Sequence, residues 1–271
     1  MINISKKIGL NSILLILLFL ADALSAGPPT FLIIGAQKSG TTALQQYLNQ
    51  HPNVMYMSGE VHFFDLQFQK GVEWYLQQFS DAPGIVSGDK SPYYIFHPSV
   101  AKRVFSLFPK VKIIAILRNP VDRAYSHYWH NVREGTESLS FEEALAAEKG
   151  RLVGLRKKFM DDPNYNNVNY QRYSYVRRGL YADQLRLWFS FFPREQILIL
   201  TNDELKKKPK KVMERVFAFL NIPNVPIVEK TEYLKKKYAP MNEATREKLS
   251  KFFAPYNEDL EKLLDVRYNW K

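Results

Sequence analysis

Thr30-Phe31-Leu32-Ile33-Ile34-Gly35-Ala36-Gln37-Lys38-Ser39-Gly40-Thr41-Thr42 is the stretch on which the fold turns. Its first part is a short unbroken apolar run, the signature of a strand buried on both faces of a parallel sheet. Two glycines then bracket a polar loop. Leu44, Tyr47 and Leu48 follow at helical spacing, and His51-Pro52-Asn53 stops that helix. Strand, glycine loop and helix in this order are the setting of a phosphate site. The free N–H groups at the helix start and the positive end of its dipole attract an anion. Lys38 can reach the same anion, and Thr41 and Thr42 add hydroxyl donors.

Working outward, apolar runs alternate with helical patterns. A short strand is expected at Val54 to Met57, and helical spacing covers Phe63, Phe64 and 68–79. A strand end and loop are expected at Gly88-Asp89-Lys90-Ser91-Pro92, and a helix over Val100 to Phe108. The strongest strand is Val111 to Leu117, followed by a helix from Val121 to His130. Another helix is expected around Phe141 to Lys149, then a long surface loop to about 170. Helix Leu180 to Phe191, strand Gln196 to Leu200, a basic turn at Lys206 to Lys211, and helices Val212 to Leu220 and Glu243 to Leu264 complete the chain. The expected fold is α/β: a P-loop-like parallel sheet with helices on both faces. Residues 28–271 read as one domain.

The glycine spacing matches a Walker loop, but Thr41 stands where that pattern puts its lysine, and the lysine is inside the loop at 38. The strongest later strand ends in Arg118, with no carboxylate to hold Mg²⁺. Nucleotide kinases need that metal to offset the charge of adjacent phosphates. A loop lysine with a downstream arginine suits a phosphorylated donor of less clustered charge and implies no metal. A P-loop kinase and a non-catalytic polyanion-binding protein stay open as alternatives. Composition points the same way. The 271 residues carry 38 Lys and Arg against 27 Asp and Glu, a formal charge of +11, which favours anionic partners. No RNA-recognition or zinc-finger pattern is present, so nucleic acid is not expected.

The chain has no cysteine, which removes disulfides, thiolate metal sites and cysteine nucleophiles and leans towards a reducing, cytoplasmic setting. Lys6 and Lys7 pull the other way. They precede the apolar run Ile13 to Leu20 and a stretch rich in small residues, so residues 1–27 read as a signal peptide or signal anchor. Attachment to a membrane would run through residues 8–26, with the domain in a secretory compartment such as the Golgi lumen.

Phe31 to Thr42 together with Val111 to Trp129 resembles the sulfotransferase family, most of all the glycan-modifying branch that includes the heparan sulfate sulfotransferases. The resemblance runs from Pro29 onward. It implies transfer of a sulfuryl group from 3′-phosphoadenosine 5′-phosphosulfate, as co-substrate, to a hydroxyl or amine of a saccharide or similar acceptor. Lys38, Ser39, Gly40, Thr41 and Thr42 match the positions that hold the 5′-phosphosulfate. Arg118 and Ser126 match those that hold the 3′-phosphate, and Lys237 falls in a basic segment that covers the nucleotide. Glu60, in Ser58-Gly59-Glu60-Val61-His62-Phe63-Phe64, matches the catalytic base, with His62 as the competing base. An apolar surround would raise the basicity of Glu60. Lys90 matches a lysine beside the transferred group. Heparan-type relatives often carry a disulfide upstream of the covering segment, which this chain cannot form.

Overall fold

The protein is described by a computed structural model covering residues 27–162, 164–229 and 238–270. Four strands form one parallel sheet: β1 (Phe31–Gly35), β2 (Gly88–Lys90), β3 (Lys112–Leu117) and β4 (Ile197–Thr201), in the order β2-β1-β3-β4. The helices that matter for function are α1 (Thr41–Leu48), α2 (Phe63–Leu66), α3 (Val100–Leu107), α4 (Pro120–Arg133), α5 (Phe141–Leu152), α6 (Tyr181–Phe189), α7 (Asn202–Lys207), α8 (Pro209–Leu220) and α9 (Glu243–Leu264).

Strand alternation sorts the core into two layers. Leu32, Ile34, Ile113, Ala115 and Leu117 face one side, under α3, α6 and Leu260 of α9. Phe31, Ile33, Ile114, Ile116 and Leu200 face the other, under α1 and α8. The central strands are buried on both faces, which is why they read as continuous apolar runs. The expected parallel sheet with helices on both faces is therefore the fold.

Four local expectations are corrected. Val54 to Met57 is no strand; a single bridge joins Val54 to Val86. Side chains of α1 claim the backbone beyond it: Gln45 and Asn49 donate to the Met57 carbonyl, and the Met57 N–H donates to Asn49 Oδ1. The 68–79 helix is a 3₁₀ turn, Phe68–Lys70, and a helix, Val72–Leu76, broken at Gly71 with φ 82°. The stretch after α5 is no surface loop. It contains helices Leu155–Asp161 and Val168–Arg172, and Leu155, Phe159 and Tyr170 pack with Tyr93 in a core of their own. The basic turn at Lys206 to Lys211 is mostly helical. Thr201 and Glu204 form a reciprocal N-terminal cap on α7, and Pro209 opens α8, so the chain turns only at Lys208. The calls on residues 1–26 and on Lys237 lie outside the described residues. Among the described residues, no helix is long and apolar enough to cross a membrane.

Candidate active site

β1 delivers the loop between residues 35 and 42. Gly35 has φ 149°, and a Cβ there would lie 2.5 Å from Ile95 Cγ2 and 2.9 Å from the Pro92 carbonyl, so only glycine fits. The chain then turns through Lys38 at φ 69° and Gly40 at φ 105° into α1. Three elements hold the turn. Asn202 Nδ2 donates to the Ser39 carbonyl at 2.8 Å, Arg118 Nη1 to the Lys38 carbonyl at 3.2 Å, and Arg178 Nη1 to Gln37 Oε1 at 2.7 Å. No side chain caps α1, and its first turn holds no acidic residue. Its N-terminal N–H groups thus keep the anion affinity of an open helix start. Thr41 is buried and Thr42 exposed; Lys38 and Gly40 are half-buried.

The second motif meets the first in space. Asn119 accepts from the Val121 N–H at 2.9 Å and Pro120 sits in the first helical turn, so the chain leaves β3 and enters α4 at once. Arg118 stands at that junction, beside the 35–42 turn, with its carbonyl accepting from Tyr181 Oη at 2.8 Å. Ser126 follows on α4 and is buried. A cavity of about 380 Å³ opens here, lined by Arg118, Asp122, Tyr125 and Tyr238. Tyr125 Oη donates to the Ala239 and Pro240 carbonyls, and the Tyr238 ring stacks parallel to Trp129, 6.2 Å between centroids. The segment just after Lys237 therefore lies against α4 at this cavity.

Glu60 and Lys90, far apart in sequence, are brought together. Lys90 Nζ lies 3.0 Å from Glu60 Oε1, and His62 Nε2 lies 2.9 Å from Glu60 Oε2. His62 Nδ1 lies 2.8 Å from Asp65 Oδ2. Both imidazole nitrogens thus face carboxylates and both must donate, so the ring is an imidazolium. Burial opposes that charge, but the bonds to Asp65 and Glu60 outweigh it and push the histidine up to about 10. For Glu60, burial raises the carboxyl, while the His62 bond and the charge and bond of Lys90 more than reverse this and hold it below 4.5. The apolar surround expected from the sequence is absent: Glu60 sits among cations, ionised through the neutral range.

Replacing His62 by asparagine is expected to move the acid limb of kcat/KM upward, because burial then acts against Lys90 alone. An acid limb unchanged from wild type would contradict this balance. The linkage also has a sign. A raised histidine stabilises the fold fully below its ordinary 6.5 and loses that contribution as pH rises towards about 10.

A cavity of about 310 Å³ adjoins this chain, lined by Gln37 of the loop with Glu60, His62, Tyr93, Asn131 and Arg178. The loop and the carboxylate therefore open onto one space. The 60–64 segment is anchored from within by Asp89, wholly buried, which accepts from Tyr75 Oη at 3.0 Å, Tyr94 Oη at 2.6 Å and Ser91 Oγ at 2.8 Å. Ser91 Oγ in turn accepts the His62 backbone N–H at 2.9 Å. Asp65, Asp89, Asn202 and Gln37 were not singled out from the sequence. Only the Glu60-His62-Asp65 spacing offered a signal for any of them.

A family profile described as "Sulfotransferase domain" matches residues 28–260. Heparan sulfate glucosamine 3-O-sulfotransferase 5 of Mus musculus is 31% identical over 267 residues, covering 89% of this chain and 74% of that protein. Bifunctional heparan sulfate N-deacetylase/N-sulfotransferase 1 of Caenorhabditis elegans is 33% identical over 264 residues, covering 87% of this chain; the match spans only 30% of that protein's length. A crystal structure of a sulfotransferase from Alicyclobacillus acidocaldarius superposes with a TM-score of 0.72 at 32% identity, covering 89% of this chain and 98% of that one.

Proposed function

The chain belongs to the sulfotransferase family, and from that premise we propose that it transfers a sulfuryl group from 3′-phosphoadenosine 5′-phosphosulfate to a hydroxyl or amine of a saccharide. The observation that carries this reading is the pairing of Glu60 with Lys90 on a cavity shared with the 35–42 loop. The acceptor class rests on the likeness to the two heparan sulfate relatives.

In this reading the loop amides and Lys38 hold the 5′-phosphosulfate, while Arg118 and Ser126 hold the 3′-phosphate. Arg118 suits a phosphate because its planar fork can donate two parallel bonds. The acceptor oxygen or nitrogen attacks sulfur in line, and its proton passes to Glu60. The bond from sulfur to the bridging oxygen breaks, and adenosine 3′,5′-bisphosphate leaves. The acceptor proton becomes acidic only as the new bond to sulfur forms, so a carboxylate that is always ionised suffices even though it is a weak base. Lys38 and Lys90 stabilise charge on the bridging and sulfuryl oxygens, the preorganised kind of assistance that weighs most in transfer reactions. His62, donating to both Glu60 and Asp65, positions the base.

Residues 8–26 are proposed as the targeting or membrane-attachment segment, consistent with the two lysines before the apolar run. The direct test of function is transfer of labelled sulfate from the donor to a panel of heparan-type oligosaccharides. Label in a saccharide product is the expected result; no transfer to any saccharide, with a non-sugar alcohol sulfated instead, would overturn the acceptor class.

A further inference from the structure

We propose that Lys206 is a second cation for the ribose 3′-phosphate, standing beside Arg118 at the far end of the donor site. This inference rests on the donor reading above and adds a contact from a different part of the chain.

β4 runs parallel to β3, with Thr201 opposite Leu117. The residues that follow each strand therefore emerge side by side: Arg118 after β3, and α7 after β4. The Thr201–Glu204 cap starts α7 directly at the strand end, so the helix stands over the C-terminal edge of the sheet, where open α/β sheets take their ligands. One face of α7 is fixed by a contact: Asn202 Nδ2 donates to the Ser39 carbonyl in the phosphate loop. Lys206 is four residues on, one turn along the same face.

Electrostatics agree with this placement. The Lys206 ammonium is held below the usual lysine range by partial burial and then by the charge of Arg118, against the opposing pull of Asp203 and Asp122. Arg118, Asp122 and Tyr238, all of which act on Lys206, line the 380 Å³ cavity. Asp122 is already paired with Arg246 at 2.7 Å, and among the described residues Lys206 has no ion pair. Arg118 lines the cavity and Lys206 is close enough to feel its charge, so the two cations repel until an anion lies between them. A doubly charged phosphate ester relieves that repulsion better than any neutral part of the donor.

The neighbours of Lys206 supply controls. Lys207 is also exposed and one residue on, so it points about 100° away around the helix. The experiment is calorimetric titration of the folded chain with adenosine 3′,5′-bisphosphate and with adenosine 5′-monophosphate. In wild type the bisphosphate should bind more tightly. Lys206→Ala should weaken the bisphosphate on the order of tenfold, as for loss of one charge-assisted bond, and leave the monophosphate unchanged. Lys207→Ala should change neither, and Lys206→Arg should restore most of the loss. If Lys206→Ala keeps the full preference for the bisphosphate, or loses both ligands equally, the Lys206 assignment is wrong while the donor site stands. If wild type itself shows no preference for the bisphosphate, the donor reading falls and this inference with it.

Discussion

Glu60→Gln should lower kcat by about 10²–10⁴, the range that a positioned base contributes, while adenosine 3′,5′-bisphosphate binds as it does to wild type. The substitution keeps the shape and leaves an amide oxygen that can still accept from Lys90, now 3.0 Å from Glu60 Oε1. It removes the ability to take a proton, and with it the negative charge and the bond from His62 Nε2, since an amide N–H₂ replaces the oxygen now 2.9 Å from that ring. Steady-state kinetics with saturating donor, beside calorimetry of the bisphosphate, separate the two effects. A kcat within about twofold of wild type would mean another group accepts the proton. His62 would then be the candidate. It could serve only by shedding a proton from a ring pushed up to about 10 by its two carboxylate partners. The geometry therefore favours Glu60 over His62, an alternative that residue types alone left open.

Asp89→Ala should be among the most destabilising single changes in the chain. Asp89 is wholly buried, and three hydroxyls, of Tyr75, Tyr94 and Ser91, donate to its two oxygens. Alanine strands all three in the interior, where each buried donor left without a partner costs about 1–3 kcal/mol. A net loss of roughly 3 kcal/mol corresponds to a fall in Tm of about 10 °C for a domain of this size. The damage should also reach the site. Ser91 Oγ holds the His62 N–H, and Tyr94 Oη accepts from the Phe64 N–H at 3.3 Å, so the 60–64 segment is anchored through Asp89. Calorimetric melting with activity measured well below Tm checks both parts. A Tm shift under about 2 °C would show that water or side-chain rearrangement satisfies the stranded hydroxyls. Burial pushes this carboxyl above its ordinary range even though all three hydroxyls stabilise its charge, which marks how far from solvent the network lies.

The Glu60–Lys90 ion pair also explains a misreading. A carboxylate next to His62, Phe63 and Phe64 looks, in sequence, like one in an apolar pocket whose affinity for protons is raised. The phenylalanines do pack inward: Phe63 and Phe64 are buried, and Phe63 stacks on Tyr75 at 4.4 Å. Glu60 points the other way, to where β2 delivers Lys90. Neighbours in sequence reported the hydrophobic side of the segment, while the charged side was supplied from thirty residues downstream.

Local chemistry by itself determined the parallel sheet, the glycine-bracketed loop at 35–42 and the position of Arg118. Each depends on residues adjacent in the chain: unbroken apolar runs for doubly buried strands, glycines where the backbone must take positive φ, and Asn119-Pro120 where a strand must become a helix. Tertiary structure alone decided which groups share a pocket. Parallel pairing carries Lys90 to Glu60, Arg118 to the Lys38 carbonyl and Asn202 to the Ser39 carbonyl, and register between distant strands is not written in any short window. The same holds for the helices at 155–172, whose polar composition reads as loop until Phe159 and Tyr170 find Tyr93. Protonation was likewise a tertiary property, because the charges that hold Glu60 ionised and His62 cationic meet only when β2 and the 60–65 segment lie together.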